Sequence, residues 1–131
     1  MINLGWWKKT NVNNLIEFLN EYNDAHAIGI NWVFFGSSYH DKKQDGFLID
    51  KYRFCNKEQN KHIKSILKPE YVDKYIDPHY FQVKNPNKYL DCKRNKITSA
   101  FNTNPTTDII QINHYHGKSV EEQLEKQLRG T

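Results

Sequence analysis

The residues best placed for chemistry lie in one stretch, IIQINHYHGKSVEEQLEKQLRG, from Ile109 to Gly130. Ile109 to Ile112 is a short apolar, β-branched run of the kind that forms a buried strand. Ser119 followed by Glu122 is a capping box, the signature of a helix N-terminus. Between strand and helix stand Asn113, His114, Tyr115, His116, Gly117 and Lys118. Such a junction suits an anion or a metal. A helix start offers N–H groups, glycine lets the backbone approach closely, and imidazole is a common metal ligand. The same residues also suit an ordinary polar strand end, and the spacing alone does not choose.

A second group of candidates lies in the polar loop Ser37 to Gly46, SSYHDKKQDG. Loop tips carry function more often than strands do, which singles out Ser37, Ser38, His40 and Asp45, with Trp32 at the base. An indole beside polar loop residues suits a sugar or a base, although a tryptophan at such a place is more often core. His40, His62, His79 and His114 each fall at the edge of an expected strand, where they could converge in space. No P-loop, GxGxxG, HExxH, GxSxG or EF-hand pattern occurs, and Asp45, Asp50 and Asp108 form no spaced carboxylate pair.

The elements that must position these groups follow from periodicity. Leu15, Phe18, Leu19 and Tyr22 give an amphipathic helix over about Asn13 to Ala25, with Asn14 and Glu17 as start signals. Ile28 to Gly36 reads as a strand on a buried face, and Phe47 to Phe54 as a second, so the two could form an antiparallel pair around the loop. Lys61 to Lys68 is a further strand. Pro69 then opens one or two helical turns over Glu70 to Ile76, stopped by Asp77 and Pro78. His79 to Val83 is a short strand, and Gln82 to Asp108 reads as a long polar loop. Trp6 and Trp7 are expected to anchor the N-terminal segment. No internal repeat is present.

Composition bounds the rest. The chain has 131 residues, 37% of them hydrophobic and 14% aromatic, enough for one modest domain with a core and unlike a disordered chain. The net charge of +4 comes from dispersed lysines with little arginine, which argues against a nucleic-acid reader. Cys55 and Cys92 form no CxxC pair, so two free thiols are the default. No signal peptide and no membrane span is expected, with a cytoplasmic location by default.

Taken in order, INWVFFGSSYHDKKQDGFLIDKY, KHIKSILKP, PHYF and QINHYHGKSVEEQLEKQLRG resemble the C-terminal half of a glycosyltransferase family 92 domain, a group close to the family 2 enzymes. The resemblance runs from about Gly29 to Gly130. It implies an α/β protein, α+β within this chain, corresponding to the acceptor-side part of a GT-A fold with a mixed sheet and flanking helices. Residues 1–131 would form a single partial domain, with residues 1–28 as an N-terminal segment and helix.

The implied reaction is transfer of a hexose from a nucleotide sugar to a glycan hydroxyl with inversion, assisted by a divalent cation (manganese or magnesium). The resemblance assigns His114 to the metal and Lys118 to phosphate. Trp32, Ser37 and Ser38 would bind substrate, and His40 or Asp45 would act as base or bond sugar hydroxyls. Two departures count against an active isolated chain. No Asp-x-Asp occurs, and Tyr39 stands where relatives usually have glycine. A metal held by His114 without carboxylates would be weak, so the expected partners include a separately encoded nucleotide-binding half or a second copy. The alternative is a non-catalytic carbohydrate-binding or remnant domain.

Overall fold

The computed structural model describes residues 2–3, 8–9, 14–36, 38, 40–47, 60–115 and 119–130. Trp6, Trp7, Ser37, Tyr39, the strand expected after Phe47, Cys55, His116, Gly117 and Lys118 lie outside the described residues. The chain is a mixed α+β protein, with a mixed sheet and two α-helices among the described residues. It divides into two compact units. Unit 1 holds residues 1–32 and 59–112, and unit 2 holds residues 33–58 and 113–131.

Unit 1 begins with a small antiparallel ladder, β1 (Ile2–Asn3) with β2 (Lys8–Lys9). Helix α1 follows at Leu15–Asn20, capped by the Asn14 side chain, which accepts the Glu17 N–H at 2.9 Å. The helix is shorter than the Asn13–Ala25 expected. Asn20, Asn23 and Asp24 are poor helix formers, and residues 21–24 form a turn. Phe18 and Tyr22 are nonetheless both buried as the spacing requires.

Strand β3 (Ala27–Phe34) is the spine of the sheet and is buried from Ala27 through Val33. It is covered on both faces, which explains a run with little alternation. β4 (Ile63–Leu67) pairs with it antiparallel, Ala27 opposite Leu67 and Asn31 opposite Ile63. β7 (Tyr89–Asp91) pairs with it in parallel, Ala27 opposite Tyr89 and Gly29 opposite Asp91. β8 (Ile112–His114) also pairs with β3. Gly29 is small because its neighbours are close. A Cβ built there would lie 2.8 Å from Ile63 Cδ1 and 3.2 Å from Ile97 Cγ1.

Two expectations are corrected in the middle of unit 1. Only Pro69–Tyr71 makes a helical turn, of the 3-10 type, and Val72–Tyr75 is strand β5. It pairs antiparallel with β6 (Phe81–Val83), so residues 72–83 form a hairpin. The turn is pinned by Asp77, whose Oδ1 accepts the N–H groups of His79 at 2.6 Å and Tyr80 at 2.9 Å. Pro69 does set the first turn, but Val72 and Tyr75 are strand formers and find a partner strand.

The stretch from Gln82 to Asp108 is likewise no featureless loop. It contains a 3-10 turn at Pro86–Lys88, strand β7, and the buried residues Tyr89, Cys92, Ile97 and Ala100. Their spacing does not alternate as a strand's would, and Asn, Thr and Lys residues separate them, so no strand pattern announced them. At its end Ile110 is fully buried but irregular, and the strand begins only at Ile112.

What replaces regular structure here is a buried polar network. Asp91, fully buried, accepts the N–H groups of Lys93 (2.9 Å) and Asn95 (2.8 Å) through Oδ1, and the amides of Asn95 and Asn102 (each 3.2 Å) through Oδ2. Asn31 Oδ1 accepts from Asn102 Nδ2 at 3.2 Å and Thr106 N at 3.3 Å, and its Nδ2 reaches the carbonyls of Asn60, Lys61 and His62. Buried polar groups are tolerated when each finds a partner, and side chains here do the pairing that a strand ladder does elsewhere. Apolar packing completes the unit. One cluster joins Phe18, Tyr22, Ile28, Ile30, Cys92 and Ile110, and another joins Ile63, Val83, Tyr89 and Ile97. Cys92 is a free, buried thiol.

Unit 2 contains helix α2, Val120–Leu128, with the capping box complete. Ser119 Oγ accepts the Glu122 N–H at 3.2 Å, while the Glu122 carboxylate accepts from Ser119 N at 3.3 Å and Oγ at 2.9 Å. None of the helical residues is buried, and Val120, Leu124 and Leu128 stand exposed one turn apart. No helix among the described residues is long and apolar enough to cross a membrane.

Candidate functional site

In unit 2 the loop after β3 meets the start of α2. The Val120 N–H donates to the His40 carbonyl at 3.2 Å, and the Glu121 N–H donates to the Asp41 carbonyl at 2.9 Å. Lys43 N–H in turn donates to Glu121 Oε2 at 2.6 Å. With Ser119 Oγ on Glu122 N, the first N–H groups of the helix are all engaged by protein oxygens. The helix start expected to receive an anion instead receives the 40–43 loop, because two loop carbonyls and a cap side chain satisfy the orphan donors first.

The loop and the helix enclose a polar cavity of about 370 Å³, lined by Lys43, Tyr115, Glu122, Gln123, Glu125, Lys126 and Arg129. That volume suits a small ligand. Along α2 the positions 122, 125, 126 and 129 recur at helical spacing, so one face of the helix supplies most of the wall. Three cationic side chains and two carboxylates share it. Glu122 is committed to the cap, whereas Glu125, Lys126, Arg129 and Lys43 line the space with mixed donors and acceptors. Tyr115 adds a ring, tilted against Phe35 at 5.0 Å between centroids, and burial pushes its phenol pKa up, keeping it a neutral donor.

The residues singled out in the sequence are spread over both units. Ser38, with φ of 51°, His40 and Asp45 occur in the unit 2 loop, but none lines the cavity. His114 packs edge-on against Phe34, centroids 5.2 Å apart, and its carbonyl accepts the Phe35 N–H at 3.0 Å. Among the described residues no three His, Cys, Asp or Glu side chains gather as a metal-binding group, so His114 has no such company there and no step is derived through a metal. Ser37 and Lys118 lie outside the described residues.

Trp32, in unit 1, is 6% exposed. Its ring stacks on His62 at 5.2 Å and meets the edge of His79 at 5.2 Å, while the Lys64 ammonium sits 5.4 Å from its centroid. A sugar could reach the face under His62 only by displacing that imidazole.

Lys43, Glu125, Lys126 and Arg129 are not among the sequence candidates, whereas Tyr115 stands in the strand–helix junction that the sequence singles out. The usable signal for the helical residues is the polar periodicity of α2 beyond its cap. Of the four histidines at strand edges, the structure brings His62 and His79 together beside Trp32.

No known family matches this chain, and neither a curated protein nor a solved structure does.

Proposed function

We propose that this chain is the acceptor-side part of a family 92-like glycosyltransferase and that it binds carbohydrate in the unit 2 cavity. The cavity carries the reading. It lies among residues of the motifs that suggested the resemblance, it has the volume for a small sugar, and its walls alternate donors with acceptors. Sugar hydroxyls both give and take hydrogen bonds, so a site of lysine, arginine and glutamate side chains with a tyrosine ring suits them better than an apolar compound. Lys43, Lys126 and Arg129 would donate, Glu125 would accept, and Tyr115 would offer both its ring and its hydroxyl. His40 and Asp45 remain the base candidates should a nucleotide-binding half complete the enzyme, and the divalent cation belongs to that completed enzyme.

Titration calorimetry tests this with a panel of short hexose oligosaccharides, and separately with uridine diphosphate sugars plus manganese. Oligosaccharide binding weakened tenfold or more in Arg129→Ala and Lys43→Ala is the expected result. Binding that survives both substitutions, or no binding at all, removes the cavity from the account. Nucleotide-sugar binding lost in His114→Ala would show that the chain keeps a donor site of its own.

A further inference from the structure

The imidazoles of His62 and His79 in unit 1 play no part in that reading, yet their neighbours fix where the Nδ1 hydrogen of each ring goes. Asn60 Oδ1 accepts the His62 backbone N–H at 2.8 Å, which identifies it as the amide oxygen, and it lies 2.9 Å from His62 Nδ1. An oxygen that can only accept requires Nδ1 to carry the hydrogen. His79 Nδ1 lies 3.0 Å from the Ile63 carbonyl, with the same consequence. In the neutral form both rings are therefore Nδ1–H tautomers, with the lone pair on Nε2. A histidine that donates Nδ1–H to an oxygen while Nε2 stays available is the arrangement found around metal ions, where the outer oxygen fixes the ring and raises its basicity.

The rings are also held in place. His62 packs between Trp32 (5.2 Å) and Phe101 (4.4 Å). His79 stands in the hairpin turn that Asp77 pins, edge-on to Trp32. Their centroids are 5.6 Å apart with a 58° angle between planes. Two imidazoles sharing one ion at a metal–nitrogen distance of about 2.0–2.1 Å have centroids roughly 5–6 Å apart.

We infer that His62 and His79 form a two-imidazole site for a divalent transition-metal ion, with water completing the shell. No third His, Cys, Asp or Glu joins them among the described residues, and the Lys64 ammonium beside Trp32 opposes a cation, so the site is a weak one. Imidazole nitrogen favours copper(II) over zinc and nickel in such a setting. This inference is independent of the carbohydrate reading, since the two sites share no residue.

The test is titration of the whole chain with copper(II), read by calorimetry, by tryptophan fluorescence and by electron paramagnetic resonance. To isolate the site, His114→Ala/His116→Ala serves as the background. One ion should bind per chain, quench the emission of Trp32 and show two imidazole nitrogens in its hyperfine pattern. His62→Gln or His79→Gln should each remove the second nitrogen and weaken binding at least tenfold. Asn60→Ala, which leaves both ligands in place, should weaken it roughly tenfold through the lost outer contact. Binding unchanged in either histidine variant, a single-nitrogen spectrum in the background protein, or no binding overturns the inference. Circular dichroism of each variant separates a lost ligand from a lost fold.

Discussion

Unit 1 and unit 2 are built on opposite plans. In unit 1 a set of polar side chains is buried and paired, with Asp91, Asn31, Asn102 and Thr106 bonded to one another and to loop backbone beside two apolar clusters. In unit 2 the helix buries no side chain, and its charged face lines a cavity. Satisfied buried networks rigidify and specify a structure, whereas segments with few buried contacts open at low cost. Stability is thus expected to reside in unit 1 and carbohydrate recognition in unit 2. The lesson is that short Asn, Asp and Thr side chains serve architecture when enclosed and paired, whereas the longer Glu, Lys and Arg side chains of the helix line a cavity at the surface.

The largest expected effect would break that contrast if it failed. Asp91→Ala strips the acceptor from two backbone N–H groups and two amides. The buried Asn102 amide left unpaired costs about 1–3 kcal/mol and the three part-buried donors add to it, so a loss of about 3 kcal/mol is expected in urea unfolding. A loss below about 1 kcal/mol would mean that the network does not hold unit 1 together.

Alkaline pH probes the same unit. Burial, the main cause, pushes the phenols of Tyr22 and Tyr89 up to about 12. Their folded pKa exceeds the unfolded value near 10, so the stability they contribute is complete below pH 10 and falls as pH rises toward 12. Tyrosinate absorbance should therefore appear together with unfolding of unit 1. Tyr22→Phe and Tyr89→Phe should each flatten the pH dependence.

Gly29→Ala forces a methyl against Ile63 and Ile97 and should cost about 1–3 kcal/mol by overpacking. Pairing it with Ile63→Val, which removes the Cδ1 at 2.8 Å, should recover part of the loss, which a backbone effect would not permit. The smallest effect belongs to unit 2. Ser119→Ala removes the cap of α2 and should cost about 1 kcal/mol. Hydrogen exchange should show that loss in residues 120–128 with unit 1 protection unchanged. Loss of protection in both units would erase the distinction between them.

Much of this was legible in the residues. Asn14 and Glu17 marked the start of α1, Ser119 and Glu122 marked α2, the run Ile28 to Gly36 covered β3 apart from Ala27, and Lys61 to Lys68 contained β4. Each is a local signal, set by capping chemistry or by side-chain period. The hairpin at residues 72–83 and the order within Gln82 to Asp108 were not legible, because a strand needs a partner that the local sequence does not name. The candidate loop was visible as polar, but of its described residues only Lys43 lines the cavity, and most of the wall comes from the helix.

By itself, the sequence determined where helices begin, which strands are apolar enough to be buried, and that histidines cluster at strand edges. Only the tertiary structure decided which of those histidines meet. It also decided that the α2 N-terminus is closed by the carbonyls of His40 and Asp41 and that Asp91 is buried with its acceptors filled. The physical reason is range. Caps and periodicities act over a few residues, whereas His62 meets His79, Asn31 meets Asn102, and His40 meets Val120 only because the backbone between them folds back.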